Sequence, residues 1–256
     1  MIEARVLTFN TLYKGDARER IRALAAALEQ SDHDVVCLQE MWIPQNLALL
    51  RSLTPSYRHA AHGLRYPIVA GGLVVLSRHP IIGYRYVRYA ARGPLRKELL
   101  SRKGVLVTRL SIDDRILTVV NTHLSANTKA NWSRTEPFTK VQAAELRDAA
   151  TLVRSLDAGE PVVMVGDFNV PRESWLFADF VAASGLVDAL DGSPETTYRP
   201  NGNWPGAALD QILVSPGVSA DPRLVFQDDV VQLADGRTTY LSDHYGIAAT
   251  IRTAKP

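Results

Sequence analysis

The sequence has 256 residues and a single cysteine, Cys37. That excludes an internal disulfide framework and a cysteine metal cluster. Cys37 stands in DVVCLQE (34–40) and reads as a small buried hydrophobe. Charge of either sign is not in excess: 29 Lys+Arg against 27 Asp+Glu leave a formal net charge of +2. Composition therefore gives no global drive toward nucleic acid or an anionic membrane, and recognition has to be local. Long hydrophobic runs are also missing, so no transmembrane segment is expected. The opening MIEARVLTFNT alternates like a strand and lacks a basic start followed by an apolar core. No signal peptide is expected in this chain, although a mature secreted form would read the same way, so localisation stays open. Linkers and low-complexity stretches are absent, and one monomeric domain over 1–256 is expected. The chain carries no Gly-rich phosphate loop and no G-x-S-x-G, and with no cysteine nucleophile either, water is the expected attacking group in any hydrolysis.

What is present is an ordinary globular composition, 46% hydrophobic and 22% charged, which argues against disorder. Hydrophobic alternation and apolar runs predict strands over 2–9, 34–39, 71–77, 104–112, 115–121, 162–166, 209–214 and 245–251. A helix is predicted over 16–30, with Ile21, Leu24, Ala25 and Leu28 at helical spacing behind Asp16 as N-cap. Two more are predicted over 140–156 and 173–184. Many strands with few helices argue for an α/β fold of paired sheets covered by helices.

Five strand-like segments end in the same kind of residue. VLTFN (6–10) ends in Asn10, VVCLQE (35–40) in Glu40, ILTVVNTH (116–123) in Asn121 and His123, VVMVGDFN (162–169) in Asp167 and Asn169, and TTYLSDH (238–244) in Asp243 and His244. One such ending is ordinary turn chemistry. Five together fit a ligand site, which gathers at the carboxyl ends of strands in α/β sheets. Glutamate, aspartate and asparagine offer oxygen ligands without soft sulfur, which suits Mg²⁺ or Mn²⁺ rather than structural zinc. Two histidines remain for proton transfer, and the combination describes hydrolysis of a phosphate ester.

In this order, Asn10, LQE (38–40), NTHLSA (121–126), GDFN (166–169), LDQILVS (209–215) and SDHYG (242–246) resemble the successive motifs of the endonuclease/exonuclease/phosphatase superfamily. RKGVLVTRL (102–110) before THLSA, and the LDQILVS to SDHYG pairing, are most similar to its neutral and bacterial sphingomyelinases. The resemblance implies a four-layer α/β/β/α sandwich of two mixed sheets flanked by helices. It implies that Glu40 binds Mg²⁺ or Mn²⁺ with Asn10 beside it and Asp243 completing the metal side. Asp167 and Asn169 would orient the attacking water and the phosphate. His244 would be the general base with Asp210 on its other ring nitrogen, and His123 would stabilise the developing charge and assist the leaving group. One position departs from the pattern: nucleases of the superfamily often carry an acid where this chain has Leu12.

Other candidates rank lower. His33 precedes a strand and is expected on the opposite rim, solvated; His59 and His79 are expected at the surface, and His62 is the one of this group expected to approach substrate. Arg92, Arg96, Lys97, Arg102 and Lys103 form a basic cluster that could touch a phosphate backbone but reads better as a solvated face. Two long polar loops, 125–138 with Trp132 and 196–208 with Trp204, are expected to flank the site. Each tryptophan either folds back on its own loop or walls a headgroup, sugar or base, and a choline would favour such rings by cation–π attraction. The expected function is a Mg²⁺-dependent, sphingomyelinase-like phosphodiesterase. A nuclease or a small-molecule phosphatase of the same superfamily is the alternative, so a phospholipid headgroup, nucleic acid and soluble phosphomonoester all stand as substrates. A catalytically inactive binding module is disfavoured because both histidines and every acid are retained.

Overall fold

The computed structural model describes residues 1–65, 67–90, 101–202 and 204–253. Strand β1 (Glu3–Asn10) leads into helix α1 (Ala17–Gln30), then β2 (Val35–Gln39), α2 (Pro44–Leu53), β3 (His59–Arg65), β4 (Ile68–Ser77) and β5 (Ile81–Arg88). After β6 (Gly104–Ile112) and β7 (Arg115–His123) come α3 (Pro137–Arg154), β8 (Val162–Asp167), α4 (Trp175–Ser184), β9 (Val187–Asp188) and β10 (Asp210–Val214). The chain ends through β11 (Val218–Val225), the small hairpin β12 (Val230–Gln232) and β13 (Thr238–Tyr240), and β14 (Gly246–Thr253).

Two mixed six-stranded sheets result, one in the order β11-β14-β1-β2-β4-β3 and the other β5-β6-β7-β8-β10-β9. Strand periodicity explains the layering. Along β1, Val6 points between the sheets while its neighbour Leu7 points outward, so both must be apolar. Val6, Cys37 and Val75 from one sheet meet Leu106, Val119, Val165 and Ile212 from the other. Outside the first sheet, Leu7, Leu38 and Leu76 pack on Leu24 and Leu28 of α1 and Leu50 of α2. Outside the second, Val120 and Met164 pack on Leu146 and Ala149 of α3 and Phe180 of α4. The product is the expected four-layer α/β/β/α sandwich, and each fully buried Leu or Val within it contributes about 1.5–3 kcal/mol.

The same topology creates one chemically rich edge. β1 and β2 are parallel, with Asn10 opposite Gln39, and β7 and β8 are parallel, with His123 opposite Asp167. β10 runs antiparallel to β8 and begins where β8 ends, so Asp210 lies opposite Asp167. β14 is antiparallel to β1 and likewise begins at this edge, just after Asp243 and His244. Below the edge a buried amide pair ties the sheets together: Gln39 Nε2 donates to Asn121 Oδ1 at 2.8 Å, and Asn121 Nδ2 donates to the carbonyls of Leu38 and Val74 at 3.0 and 3.1 Å. Asn121 is thus a cross-brace between sheets rather than a lining residue.

Among the described residues, seven elements escape the sequence pattern: α2, β3, β5, β9, β11, β12 and β13. β11 carries Pro222 and β5 mixes exposed and half-buried residues; both are edge strands, which tolerate these features. β3 is also an edge strand, α2 is a short helix opened by Pro44, and β12–β13 is a two-stranded ribbon. Asp16 occupies the N-cap of α1 but its side chain makes no capping hydrogen bond there. Ser174 does cap α4, accepting from the Phe177 N–H at 3.3 Å.

Candidate active site

The strand ends open into a cleft of about 1100 Å³ lined by Glu40, His123, Asp167, Asn169, Asp243 and His244 from the motif set. Its walls add Leu12, Tyr13, Lys14, Trp42, Ile43, Ile68, Lys103, Trp132, Tyr198 and Trp204.

Asp167, fully buried at the end of β8, is the hub. Its Oδ2 accepts from Asn10 Nδ2 at 2.9 Å and lies 3.3 Å from His123 Nε2 and 3.8 Å from His244 Nε2, while its Oδ1 accepts from the Asn169 N–H at 2.8 Å. Burial alone pushes this carboxyl up, but His244, His123 and Lys103 around it outweigh that and hold it well below the usual carboxylate range. Gly166 makes the placement feasible. Its φ of +137° and the 2.0 Å that would separate a Cβ from the Thr122 carbonyl oxygen leave room for no side chain.

His244 Nδ1 lies 2.8 Å from Asp210 Oδ2, and both residues are buried. Burial pushes the imidazole down, yet Asp210 and Asp167 together raise it to about 10. Burial raises Asp210 as well, against the lowering effect of its histidine partner. Thr197 braces the carboxylate: its hydroxyl donates to Asp210 Oδ2 at 2.7 Å and accepts from the backbone N–H groups of Leu209 and Asp210, both at 2.9 Å.

Oxygen donors gather on the open side. Glu40 sits in the left-handed region at φ +62°, and its Oε2 accepts from the Tyr13 N–H at 3.0 Å. Arg20, buried on α1, anchors that loop by donating to the carbonyls of Leu12, at 2.6 Å, and Lys14, which accounts for Leu12 at φ +50°. Leu12, Glu40, Ala130 and Asn169 are all non-glycine residues at positive φ on the cleft wall, the strained backbone that functional sites hold in place. Asp243 Oδ2 accepts from the Tyr198 hydroxyl at 3.1 Å. The charges of Asp243, Asp167 and Glu40 all act on that phenol, and all three carboxylates line the same cleft.

Hard carboxylate oxygens lining one cleft fit a divalent cation of the Mg²⁺ type. Ligand atoms of Asp167, Asp210 and His244 lie within 4.8 Å of one another and could hold a metal ion. Asp210 Oδ2 and His244 Nδ1, however, are engaged with each other, which leaves Glu40, Asp243 and Asp167 as the better donors. Asn10 lies beside them, with Oδ1 already accepting from the Leu12 N–H at 3.1 Å.

Several sequence expectations come out differently. His62 is absent from the cleft wall: it lies on β3, paired with Val74, three strands from β1 at the far edge of the sheet. Trp132 reaches the cleft but is pinned, with Nε1 donating to the Asn169 carbonyl at 3.3 Å and its own carbonyl accepting from Trp175 Nε1 at 2.9 Å. Gln142 Nε2 donates to the same Asn169 carbonyl at 2.7 Å, so both side chains hold the strained Asn169. Trp204 packs against Tyr198 with ring centroids 4.9 Å apart and planes tilted by 54°. His33 lies at the opposite end of the sheet, as expected, but is buried rather than solvated, and burial pushes its imidazole down. Of the basic cluster, Arg92, Arg96 and Lys97 lie outside the described residues and Arg102 is exposed. Lys103 is no solvated cation: it is buried in the cleft with Nζ 5.4 Å from the Trp42 ring centroid.

Sequence reasoning also passed over Trp42, which meets Tyr13 at 5.8 Å and the edge of His123 at 6.2 Å. It lies against Gly72, where a Cβ would come within 2.5 Å of the indole nitrogen. The available signal was its position two residues after Glu40. Thr197 and Tyr198 were passed over as well, inside a loop noticed for its tryptophan.

The profile of the endonuclease/exonuclease/phosphatase family matches residues 7–244. The chain belongs to that family. Human sphingomyelin phosphodiesterase 2 is 31% identical over 182 residues, covering 67% of this chain and 41% of the human protein. The chain spans about half the length of the curated relatives it matches. Among solved structures of this fold, a Staphylococcus aureus beta toxin variant with bound magnesium ions superposes with a TM-score of 0.80 at 17% identity, covering 97% of this chain and 99% of the toxin. Danio rerio TDP2 complexed with a single-stranded DNA product superposes with a TM-score of 0.77 at 18% identity, covering 98% and 99%. Among the described residues, no helix is long and apolar enough to cross a membrane.

Proposed function

We propose that this family member is a divalent-metal-dependent phosphodiesterase of the sphingomyelinase type, cleaving a phospholipid headgroup as its phosphoester. The observation that carries the reading is the pair His244 and Asp210 at 2.8 Å, with His244 Nε2 turned toward Asp167 in a cleft that also holds Glu40 and Asp243. Water attacks phosphorus in line; its O–H proton passes to His244 Nε2 as the new O–P bond forms, and the O–P bond to the leaving alcohol breaks. Asp210 keeps the proton on Nδ1 and stabilises the charged ring. Asp167 and Asn169 orient the water and the phosphate. Lys103 and His123 face the phosphoryl oxygens, where charge accumulates, and a protonated His123 donates its proton to the departing oxygen. Glu40 and Asp243, with Asn10 beside them, would hold the divalent cation, Mg²⁺ or Mn²⁺, which supplies Lewis-acid polarisation of a phosphoryl oxygen and offsets the carboxylate charge that raises His244.

The walls support a lipid substrate over a nucleic acid. Tyr13, Trp42, Ile43 and Ile68 make one side of the cleft apolar, with Tyr13 43% and Ile43 41% exposed. Tyr198 and Trp204 present ring faces on the other side, suited to a quaternary ammonium. A metal-dependent activity panel over sphingomyelin, lysophospholipids, single-stranded and abasic DNA, RNA and sugar phosphates tests this. Release of phosphocholine from sphingomyelin is the expected result, and cleavage of DNA or RNA with phospholipids untouched overturns it.

A further inference from the structure

We propose that Tyr198 is a positioning residue whose hydroxyl and ring hold Asp243 and His244 in their working arrangement. The proposal rests on the metal-dependent reading above. Tyr198 lies in the loop 196–208, far in sequence from SDHYG, yet the two segments are laced together. Arg199 N–H donates to the Asp243 carbonyl at 2.8 Å and Tyr245 N–H to the Thr197 carbonyl at 2.7 Å, which makes Tyr198 and His244 an antiparallel bridge pair. The Arg199 guanidinium fastens the outer side, donating to the carbonyls of Ser242 at 2.9 Å and Phe226 at 2.8 Å.

On this frame the Tyr198 side chain makes two contacts with different consequences. Its hydroxyl donates to Asp243 Oδ2 at 3.1 Å, and its ring stands edge-on to the His244 imidazole, centroids 4.8 Å apart and planes at 80°. Among the described residues, Asp243 Oδ1 meets the weaker Ser242 hydroxyl contact at 3.3 Å, so the phenol is the stronger brake on rotation of that carboxylate. Trp204 packs at a tilt against the tyrosine ring at 4.9 Å, and both residues line the cleft. A packing role alone would need the ring and not the hydroxyl.

Two variants separate these contributions. Tyr198→Phe keeps the ring and removes the hydroxyl; Tyr198→Leu removes both. Mn²⁺ binding to each protein without substrate, read by electron paramagnetic resonance, is compared with the Mg²⁺ concentration for half-maximal hydrolysis. Tyr198→Phe is expected to weaken Mn²⁺ binding by about tenfold while kcat at saturating metal stays within about threefold, the size of one lost hydrogen bond to a charged group. Tyr198→Leu is expected to weaken binding similarly and to lower kcat further, as His244 loses its edge contact. In protein already carrying Asp243→Asn, the phenylalanine substitution is expected to change Mn²⁺ affinity by less than about twofold, because the partner is gone. Unchanged Mn²⁺ affinity in Tyr198→Phe, with the wild type binding normally, overturns the proposal and leaves the metal reading intact. Failure of the wild type to bind Mn²⁺ overturns both.

Discussion

His244 Nδ1 and Asp210 Oδ2 lie 2.8 Å apart although 34 residues separate them, and Asp210 is at the same time 2.7 Å from the Thr197 hydroxyl. One carboxylate oxygen thus fixes an imidazole whose other nitrogen faces Asp167. Residues joined this way act as a unit. His244→Ala is expected to lower kcat by roughly two to four orders of magnitude. Asp210→Asn should fall by a comparable factor, and the double variant should be scarcely worse than His244→Ala. Rates for the three proteins, with folding checked by circular dichroism, decide it; losses that multiply would mean the two residues work independently.

Removal of metal is the second test. With Glu40, Asp167 and Asp243 facing one cleft, EDTA is expected to abolish hydrolysis and Mg²⁺ or Mn²⁺ to restore it. Glu40→Gln should raise the metal requirement strongly while the melting temperature changes little, since this half-buried carboxylate belongs to no core cluster. Full activity in metal-free protein would refute the mechanism.

The two loop tryptophans should separate in function. Trp132 holds the Asn169 carbonyl, so Trp132→Ala is expected to impair lipid and small chromogenic diester alike. Trp204 touches Tyr198 on the cleft wall, so Trp204→Ala should raise KM for sphingomyelin more than for the small diester. Parallel kinetics on both substrates give the answer, and equal effects of Trp204→Ala on the two would remove it from headgroup recognition.

Gly166→Ala should be among the most damaging single substitutions in the molecule. The new methyl would meet a backbone oxygen in the neighbouring strand at a φ that L-residues avoid. A loss on the order of 4 kcal/mol or more is expected, read as a lower midpoint in urea or as insoluble protein. A midpoint near that of the wild type would show that β7 and β8 can separate at this point.

Cys37 gives a probe of integrity. It is buried between the two sheets, and burial pushes its thiol pKa up, so the native protein should resist iodoacetamide and react once unfolded. Rapid labelling of native protein, seen by mass spectrometry, would mean that the inter-sheet core opens.

The sequence by itself determined the layers and most of the site. Val6 and Leu7, or Val119 and Val120, are apolar neighbours on a strand, and such pairs read directly as a sheet covered on both faces. The acids and histidines at strand ends were legible because polar residues interrupt apolar runs there, and the family motifs follow those interruptions. Only the tertiary structure decided which of those residues meet: β10 and β14 reverse direction beside β8 and β1, and this alone carries Asp210 and His244 to the edge where Asp167 ends its strand. The places of His62, Lys103 and Tyr198, and the contacts that hold Trp132, depend on the tertiary structure in the same way. A polar side chain in an edge strand, a pinned indole, a buried lysine and a tyrosine laced to a distant segment have no local pattern, since their roles come from contacts between segments distant in sequence, which periodicity cannot register.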